Sequence, residues 1–241
     1  MTEQTATQKI RTGELTNIIN SQNLDALREY LNNTPRDIVM KKDENGRDAL
    51  YDAVFTGDVH IIDTLITYGF DPMNIDKLTG ATALHLSASE AHFDAVVLLS
   101  DVLRLNTNAT DNDGFTPLYY AFMFLINEDG SISEPHLDAA WALVRNGAKF
   151  QPKMLRFLPE VEQLHIALIK DIHVIMRKNR QTCLKYVPNM IKFLQDSLNT
   201  YSDFCKQTNG KSDEEIEKII QTNFMSDTPN KPTKNLDFLW K

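Results

Sequence analysis

The sequence predicts an all-α fold: a solenoid of about four helix-turn-helix repeats, followed by a C-terminal helical cap or small bundle. Turn glycines recur at Gly46, Gly80 and Gly114, in two steps of 34 residues. After each glycine, two short apolar segments at helical spacing are separated by a small or polar break. Neither helix of such a pair can bury its apolar face alone, so the unit requires neighbouring copies of itself.

The motifs that recur with this period carry a family resemblance. After one intervening residue, each turn glycine is followed by a tetrad: Asp48-Ala49-Leu50-Tyr51, Thr82-Ala83-Leu84-His85 and Thr116-Pro117-Leu118-Tyr119. Later motifs are Gly57-Asp58-Val59, Ala91-His92-Phe93, Pro135-His136-Leu137, Tyr68-Gly69-Phe70-Asp71 and Asn146-Gly147-Ala148. These motifs resemble the Thr-Pro-Leu-His, Gly-His-Leu and Gly-Ala-Asp of the ankyrin repeat family, whose period is about 33 residues.

The resemblance covers residues 13–150 and divides them into the units 13–45, 46–79, 80–113 and 114–150. The first unit has apolar residues at helical spacing but lacks the tetrad, as expected of a terminal repeat with one face in water. It is interpreted as the N-terminal cap repeat, preceded by a separate segment, residues 1–12. The third unit has Arg104 and Leu105 where the family closes its second helix with Gly-Ala, which leaves that helix end undetermined.

Local chemistry agrees with the repeat assignment. Thr82 and Thr116 are expected to N-cap the first helices, with Pro117 at a first helical position. The leucines of the tetrads are expected to form a repeating core layer. The resemblance implies that His85 links neighbouring backbone turns, which is a structural role rather than metal ligation.

The fourth unit is longer than the others because it carries about ten extra residues around 127–134. Insertions in repeat proteins map to loops, often on a working face. A loop of this kind and a lengthening of the first helix by one turn are both consistent with the sequence. The acidic residues lack the regular alternation of a calcium-binding loop.

The period is lost after residue 150, and residues 151–225 are expected to form the helical C-terminal region. The pattern predicts a short helix over 153–158 and longer ones over 159–178 and 184–204. A capping box predicts a fourth helix that begins at Ser212. The apolar stripe of the 184–204 helix is expected to consist of Leu184, Val187, Ile191, Leu194, Leu198 and Tyr201.

Composition and charge limit the function classes. The chain has 241 residues, 42% of them hydrophobic, and no apolar run long enough to span a membrane. Its start lacks the layout of a secretory signal, so a cytoplasmic location is expected. Residues 1–150 hold 11 Lys and Arg against 22 Asp and Glu, whereas residues 151–241 hold 14 against 11. The acidic repeats repel phosphate backbones, which argues against nucleic acid as the partner.

No catalytic or nucleotide-binding motif is present, so the chain is expected to be non-enzymatic, without a cofactor, metal or small-molecule substrate. Glu162, His165 and His173 are too few for a convincing metal site. One alternative stays open: an enzyme whose activity lies in the C-terminal helices, with a cysteine as nucleophile beside His165 or His173. The cysteines available for this are Cys183 and Cys205.

The resemblance implies that the chain binds a protein through a concave surface made by the protruding turns and the first helices. An aromatic and methionine cluster flanked by charges is typical of a protein interface. The predicted partner-binding residues are Arg47, Phe55, Lys77, Leu78, Glu90, Asn112, Asp113, Phe115, Met123 and Phe124.

The tail, residues 226–241, ends in an apolar tip that either folds back onto the helices or acts as a signal. The acidic Asp213-Glu214-Glu215 and Glu217, followed by Phe238-Leu239, are similar to the type IV secretion signals of intracellular bacteria. A more specific hypothesis is therefore an effector that is secreted into a host cell.

Overall fold

The structure of the protein, a computed structural model, describes residues 13–127, 129–157, 161, 163–170, 180–212, 215 and 218–219. The N-terminal segment 1–12 and the tail lie outside the described residues. So do Glu162, His173 and the side chain of Cys183, which the enzyme and metal hypotheses involve, and the acidic residues Asp213, Glu214 and Glu217.

The described residues are mainly helical, which confirms the all-α class. Their only bridges are two isolated antiparallel pairs, Ile75 with Thr82 and Ile126 with Ile132. The helices are α1 (13–20), α2 (Leu24–Asn33), α3 (Arg36–Val39), α4 (Ala49–Thr56), α5 (Val59–Tyr68), α6 (Ala83–Ser89), α7 (Phe93–Val97), α8 (Pro117–Met123), α9 (Glu134–Arg145), α10 (163–170) and α11 (Arg180–Thr208). A π-helical turn, Leu98–Val102, extends α7, and a 3-10 helix spans Pro152–Phe157.

The helices start where the sequence predicts. Thr82 and Thr116 occupy the N-cap positions of α6 and α8, and Pro117 lies in the first turn of α8. Thr82 forms a capping box with His85, whereas the Thr116 side chain makes no capping hydrogen bond, and its hydroxyl has no partner among the described residues. In the second repeat, Asp48 accepts a hydrogen bond from the Leu50 N–H at 3.1 Å. Asp58 does the same for α5, accepting from the Ile61 N–H at 3.2 Å. These oxygens satisfy backbone donors that a helix leaves unpaired at its first turn.

One continuous core joins the repeats to the C-terminal helices. Leu50, Leu84 and Leu118 are buried in it, as the core-layer interpretation predicts. Phe157 of the 3-10 helix packs against Tyr119, with ring centroids 5.1 Å apart. Further along the chain, α11 packs on α9. The described part of the C-terminal region therefore covers the end of the fourth repeat.

The buried face of α11 matches the expected stripe only in part. Val187 is buried as expected and Leu194 packs against the core. Met190 and Phe193, which the stripe did not include, are also buried, and Ser197 extends the same face. Leucines and other apolar residues on the adjacent stripe are exposed instead: Leu184, Ile191, Leu198 and Tyr201. Both stripes have helical spacing, so the sequence pattern alone could not distinguish the one that meets α9.

Two features resolve alternatives left by the sequence. The third repeat closes at Arg104, whose φ of +57° places a non-glycine residue in the left-handed region. The insertion does not lengthen α8, because that helix ends at Met123. Instead it forms a tight turn in which the Asn127 N–H donates to the Ser131 carbonyl oxygen at 2.8 Å.

Candidate functional site

Three turns protrude between consecutive repeats, and we call them the tips: residues 43–47, 76–81 and 111–115. Each begins with an aspartate that accepts hydrogen bonds from its own turn. Asp43 accepts from the Arg47 N–H at 2.9 Å, and Asp111 accepts from the Phe115 N–H at 2.8 Å. The aspartate of the middle tip, Asp76, is buried and accepts from the Leu78 N–H at 2.7 Å. These carboxylates hold the turns in shape. Asp76 and Asp111 are buried and not available to a partner, whereas Asp43 is exposed.

Neighbouring tips are hydrogen-bonded to one another. The Lys77 N–H donates to the Asn45 carbonyl oxygen, and the Asn112 N–H donates to the Thr79 carbonyl oxygen, both at 2.8 Å. The Asn112 side chain adds a bond to the Leu78 carbonyl oxygen at 3.0 Å. The three tips therefore form one connected ribbon, which we call the tip surface.

The approach between the second and third tips requires glycine. Gly80 has a φ of +74°. A Cβ atom there would lie 2.8 Å from the backbone nitrogen of Asn112, closer than real Cβ contacts. Gly80 thus provides both the turn conformation and the space for the neighbouring turn.

Four of the predicted partner-binding residues are exposed on the tip surface. Leu78 is 55% exposed, and Lys77 precedes it on the same turn. Asn112 and Asp113 are exposed on the next tip. The sequence led us to expect an aromatic and methionine cluster flanked by charges, whereas the predicted apolar residue that is exposed on the tips is a leucine.

Two other predicted residues, each directly after the turn glycine of its tip, are not exposed on the tip surface. Phe115 is 2% exposed, because it stacks on Tyr119 at a centroid distance of 4.2 Å and lies beneath Lys153. Its assignment as a contact residue is wrong for this structure. Arg47 is half-buried, since its Nε donates to the Asp43 carboxylate at 2.7 Å. This position faces the adjacent repeat, which the resemblance did not reveal.

The other four predicted residues lie at the opposite ends of the first helices. Phe55 is 40% exposed in the last turn of α4, whereas Glu90, Met123 and Phe124 are half-buried. Burial raises the pKa of the Glu90 carboxyl. The first helices have seven or eight residues, so roughly 10 Å separates these residues from the tips. The ten predicted residues thus fall into two groups.

Histidines connect the repeats at this second edge. His92 Nε2 lies 2.8 Å from the Phe55 carbonyl oxygen, and His136 Nε2 lies 3.0 Å from the Ser89 carbonyl oxygen. Each histidine lies at the start of the second helix of its repeat and contacts the last turn of the first helix of the repeat before. Carbonyl groups that α4 and α6 leave unpaired at their C-terminal ends are satisfied in this way.

The described residues offer little for nucleophilic or metal chemistry. His165 Nε2 lies 2.8 Å from Ser197 Oγ, but Ser197 is 2% exposed and its hydroxyl also contacts the Leu194 carbonyl oxygen at 3.0 Å. Cys205 is exposed two helical turns beyond Ser197. Within the described part of the chain, no group of three His, Cys, Asp or Glu side chains is arranged to hold a metal ion.

A second group of polar side chains, which the sequence did not single out, lies between the third repeat, α9 and α11. It surrounds a cavity of about 240 Å³ that we call the junction cleft, defined by Asp101, Arg104, Arg145, Lys185 and Tyr186. Arginine at the glycine position of the third repeat was the only sequence signal for this site.

Comparisons with known proteins support the repeat assignment. A family model that describes ankyrin repeats in three copies matches residues 50–154. Ankyrin repeat protein nuc-2 of Neurospora crassa is 27% identical over 134 residues, which are 56% of this chain. That alignment covers 12% of the fungal protein, so the chain spans a small part of its length.

Among the described residues, no helix combines the length and apolar character that crossing a membrane requires.

Proposed function

Residues 50–154 are ankyrin repeats, and from this premise we propose that the chain is a non-enzymatic module that binds another protein through the tip surface. Ankyrin repeats are generally protein interaction modules. The observation that carries the proposal is the pair of backbone hydrogen bonds that joins the three tips at 2.8 Å. A ribbon that is ordered before binding loses less conformational entropy when a partner docks.

The chemistry of the tips supports a partner with an apolar pocket and a mixed-charge rim. Leu78 is the exposed apolar group at the centre, with Lys77 on one side and Asp113 on the next tip. Burial of a leucine side chain is worth roughly 2 kcal/mol. The charges set orientation more than affinity. Because residues 1–150 carry an excess of eleven acidic groups, a basic or mixed-charge protein fits better than nucleic acid.

The second edge of the repeats offers a further contact. Phe55 is the most exposed of the predicted residues there. We propose that a large partner reaches it across the first helices, whereas a short peptide engages the tips alone. An interface that covers both groups would approach the roughly 800 Å² per partner of a standard protein complex.

Photo-crosslinking and affinity capture from a lysate test the proposal with the full chain. Leu78→Glu should abolish recovery of the specific partner, because it places a charge in the apolar contact. Leu198→Glu is the matched control, since Leu198 is 57% exposed on α11, slightly more than Leu78, which is 55% exposed on the tip. Equal recovery by the Leu78→Glu variant and the original chain, or equal loss in both variants, contradicts a tip interface.

We also propose, as a narrower version, that the chain is a secreted effector that meets its partner in the cytoplasm of a host cell. This version is supported by the sequence alone, through the acidic residues between 213 and 217 and the later Phe238-Leu239. A translocation reporter fused to the full chain should require residues 226–241. Delivery that is unchanged without this tail contradicts the effector version and leaves the binding proposal intact.

A further inference from the structure

The junction cleft contains an arginine with unusual surroundings. Arg145 is the last residue of α9, and its guanidinium carbon lies 4.1 Å from the ring centroids of both Trp141 and Tyr186. Stacking between two rings fixes the plane of the guanidinium group. The position of this group is therefore set before any ligand arrives.

Within the part of the chain that the structure describes, the guanidinium donors of Arg145 have no acceptor. Its Nε is buried without a hydrogen-bond partner, and no acceptor among the described residues binds its other guanidinium N–H groups. An arginine that serves only a helix C-terminus is expected to donate to the last carbonyl groups. Here Asn189 Nδ2 donates to the Arg145 carbonyl oxygen instead, at 2.8 Å. Arg145 is only half-buried, but a buried Nε–H donor without an acceptor is costly, and a ligand oxygen would satisfy it.

The carboxylate in the cleft, Asp101, does not accept a hydrogen bond from Arg145. Asp101 accepts from Lys185 Nζ at 2.6 Å and from the Tyr186 hydroxyl at 2.7 Å. Burial alone would raise the pKa of Asp101, but these two donors and the charge of Arg145 lower it below its usual value. Asp101 is thus ionised and engaged by α11, and it positions Lys185 and Tyr186 at the cleft.

A second arginine lies at the rim. Arg104 is exposed and takes a φ of +57°, a conformation that costs a non-glycine residue roughly 1 kcal/mol or more. Among the described residues no carboxylate forms an ion pair with it. Strain at an exposed cation beside a cleft is the kind of feature that is retained when the side chain has a role.

The charges and size of the cleft indicate the ligand. Arg104, Arg145 and Lys185 outnumber Asp101, so the local net charge is +2 in a chain whose net charge is −8. A phosphate monoester carries about −1.5 to −2 at pH 7 and offers three acceptor oxygens to a planar guanidinium fork. The cavity of about 240 Å³ is smaller than the roughly 300–1,000 Å³ of pockets that enclose a whole drug-sized ligand.

We propose that the junction cleft binds the phosphate group of a phosphate monoester, through Arg145 with Arg104 and Lys185. The group belongs either to a free phosphorylated small molecule or to a phosphorylated side chain, and both sources share this chemistry. The site is separate from the tip surface, so a negative result for one of the two proposals does not contradict the other.

Nuclear magnetic resonance titration of the full chain tests the site directly. Inorganic phosphate, O-phosphoserine and a phosphoserine peptide are the three probes, added in turn at low and constant ionic strength, and the same peptide without its phosphate is the control. The expected result is a saturable shift of the Arg145 Nε–Hε resonance and of the Arg104 amide. Absence of a saturable shift with all three probes overturns the proposal, as does an equal response to the unphosphorylated peptide.

Variants distinguish binding from folding. Arg104→Gly removes a cation while relieving backbone strain, so it should weaken phosphate binding about fivefold or more without lowering the melting temperature. Arg145→Gln should weaken it about tenfold or more. Arg28→Gln, at an exposed arginine of α2, is the matched control and should leave the affinity unchanged. Equal losses in all three variants would indicate nonspecific attraction and overturn the site.

The peptide arm identifies the source of the phosphate. Binding of the phosphoserine peptide about tenfold more tightly than inorganic phosphate supports a phosphorylated side chain as the ligand. Equal affinity for the two probes supports a free small molecule.

Discussion

His85 Nε2 lies 3.0 Å from the carbonyl oxygen of Phe115, thirty residues later in the next repeat. Its other ring nitrogen, Nδ1, accepts from the Thr82 N–H at 3.1 Å and lies 2.9 Å from the Thr82 hydroxyl. Because Nδ1 accepts, the network assigns the proton to Nε2, which donates to Phe115. The histidine thereby caps its own helix and fastens the following tip.

Replacement of His85 by alanine should therefore destabilise the fold. The change leaves a carbonyl oxygen and a backbone N–H without their partners in a buried site, and we expect a loss of about 2–4 kcal/mol in the free energy of unfolding. Urea denaturation followed by circular dichroism measures it. His60→Ala, at an exposed histidine of α5, should change stability by less than about 0.5 kcal/mol. Similar effects of the two substitutions would contradict the linking role.

Stability should also fall on mild acidification. Burial lowers the pKa of His85 and of His136 below the ordinary 6.5, despite the opposing carbonyl partners Phe115 and Ser89. The unfolded chain then binds more protons than the folded chain as the pH falls through about 6.5, so the free energy of unfolding decreases. Burial raises the pKa of several carboxyl groups, which act in the opposite direction at lower pH: Asp48, Asp52, Glu90 and Asp138.

The free energy of unfolding is measured by urea titrations at a series of pH values between about 7.5 and 6, which is above the ordinary range of carboxyl pKa values. His85→Gln retains a polar side chain without the titrating ring, so its stability should depend less steeply on pH. A slope equal to that of the original chain would show that His85 does not contribute.

Two glycines with left-handed backbones should respond differently to alanine. Gly130→Ala meets no atom within 4 Å at a φ of +81°, so only the backbone strain of about 1–2 kcal/mol is expected. Gly80→Ala has similar strain and also places its Cβ against the Asn112 backbone nitrogen, so we expect roughly 3 kcal/mol or more. Thermal denaturation of the two variants gives the difference. Equal losses would mean that the tips can separate at little cost.

Arg104→Gly should stabilise the chain by up to about 1 kcal/mol, because glycine adopts a positive φ without the steric cost. Arg104→Ala keeps the strained backbone and serves as the control, since it removes the same side chain. A higher melting temperature for the glycine variant than for the alanine variant confirms the strain. The reverse order would refute it.

Phe157→Ala should weaken the cover over the fourth repeat. The ring is buried against Tyr119 and Phe122, at centroid distances of 5.1 and 6.1 Å. Its loss should cost about 3–5 kcal/mol and increase hydrogen exchange in α8. Phe55→Ala, at a phenylalanine that is 40% exposed, should cost less. Unchanged exchange in α8 would indicate that the 3-10 helix is dispensable for the repeats.

The repeat architecture could be predicted because its signals are local. Gly80 is needed for a turn that only a positive φ allows, and Thr82 caps a helix that begins within its own segment. The candidate site was less predictable. Phe115 was assigned to the surface from its place in the repeat, but Tyr119 and Lys153 cover it, and Lys153 lies 38 residues away in the C-terminal region.

By itself, the sequence determined the period, the turns, the helix caps and the leucine core layer, since each depends on residues within about one repeat. Tertiary structure alone decided which stripe of α11 is buried, which tip residues remain exposed, and that Arg145 and Lys185 meet around one cleft. The physical reason is that burial and electrostatic environment are set by chain segments distant in sequence. Helical periodicity indicates that a face is apolar, but only packing determines which residues cover that face.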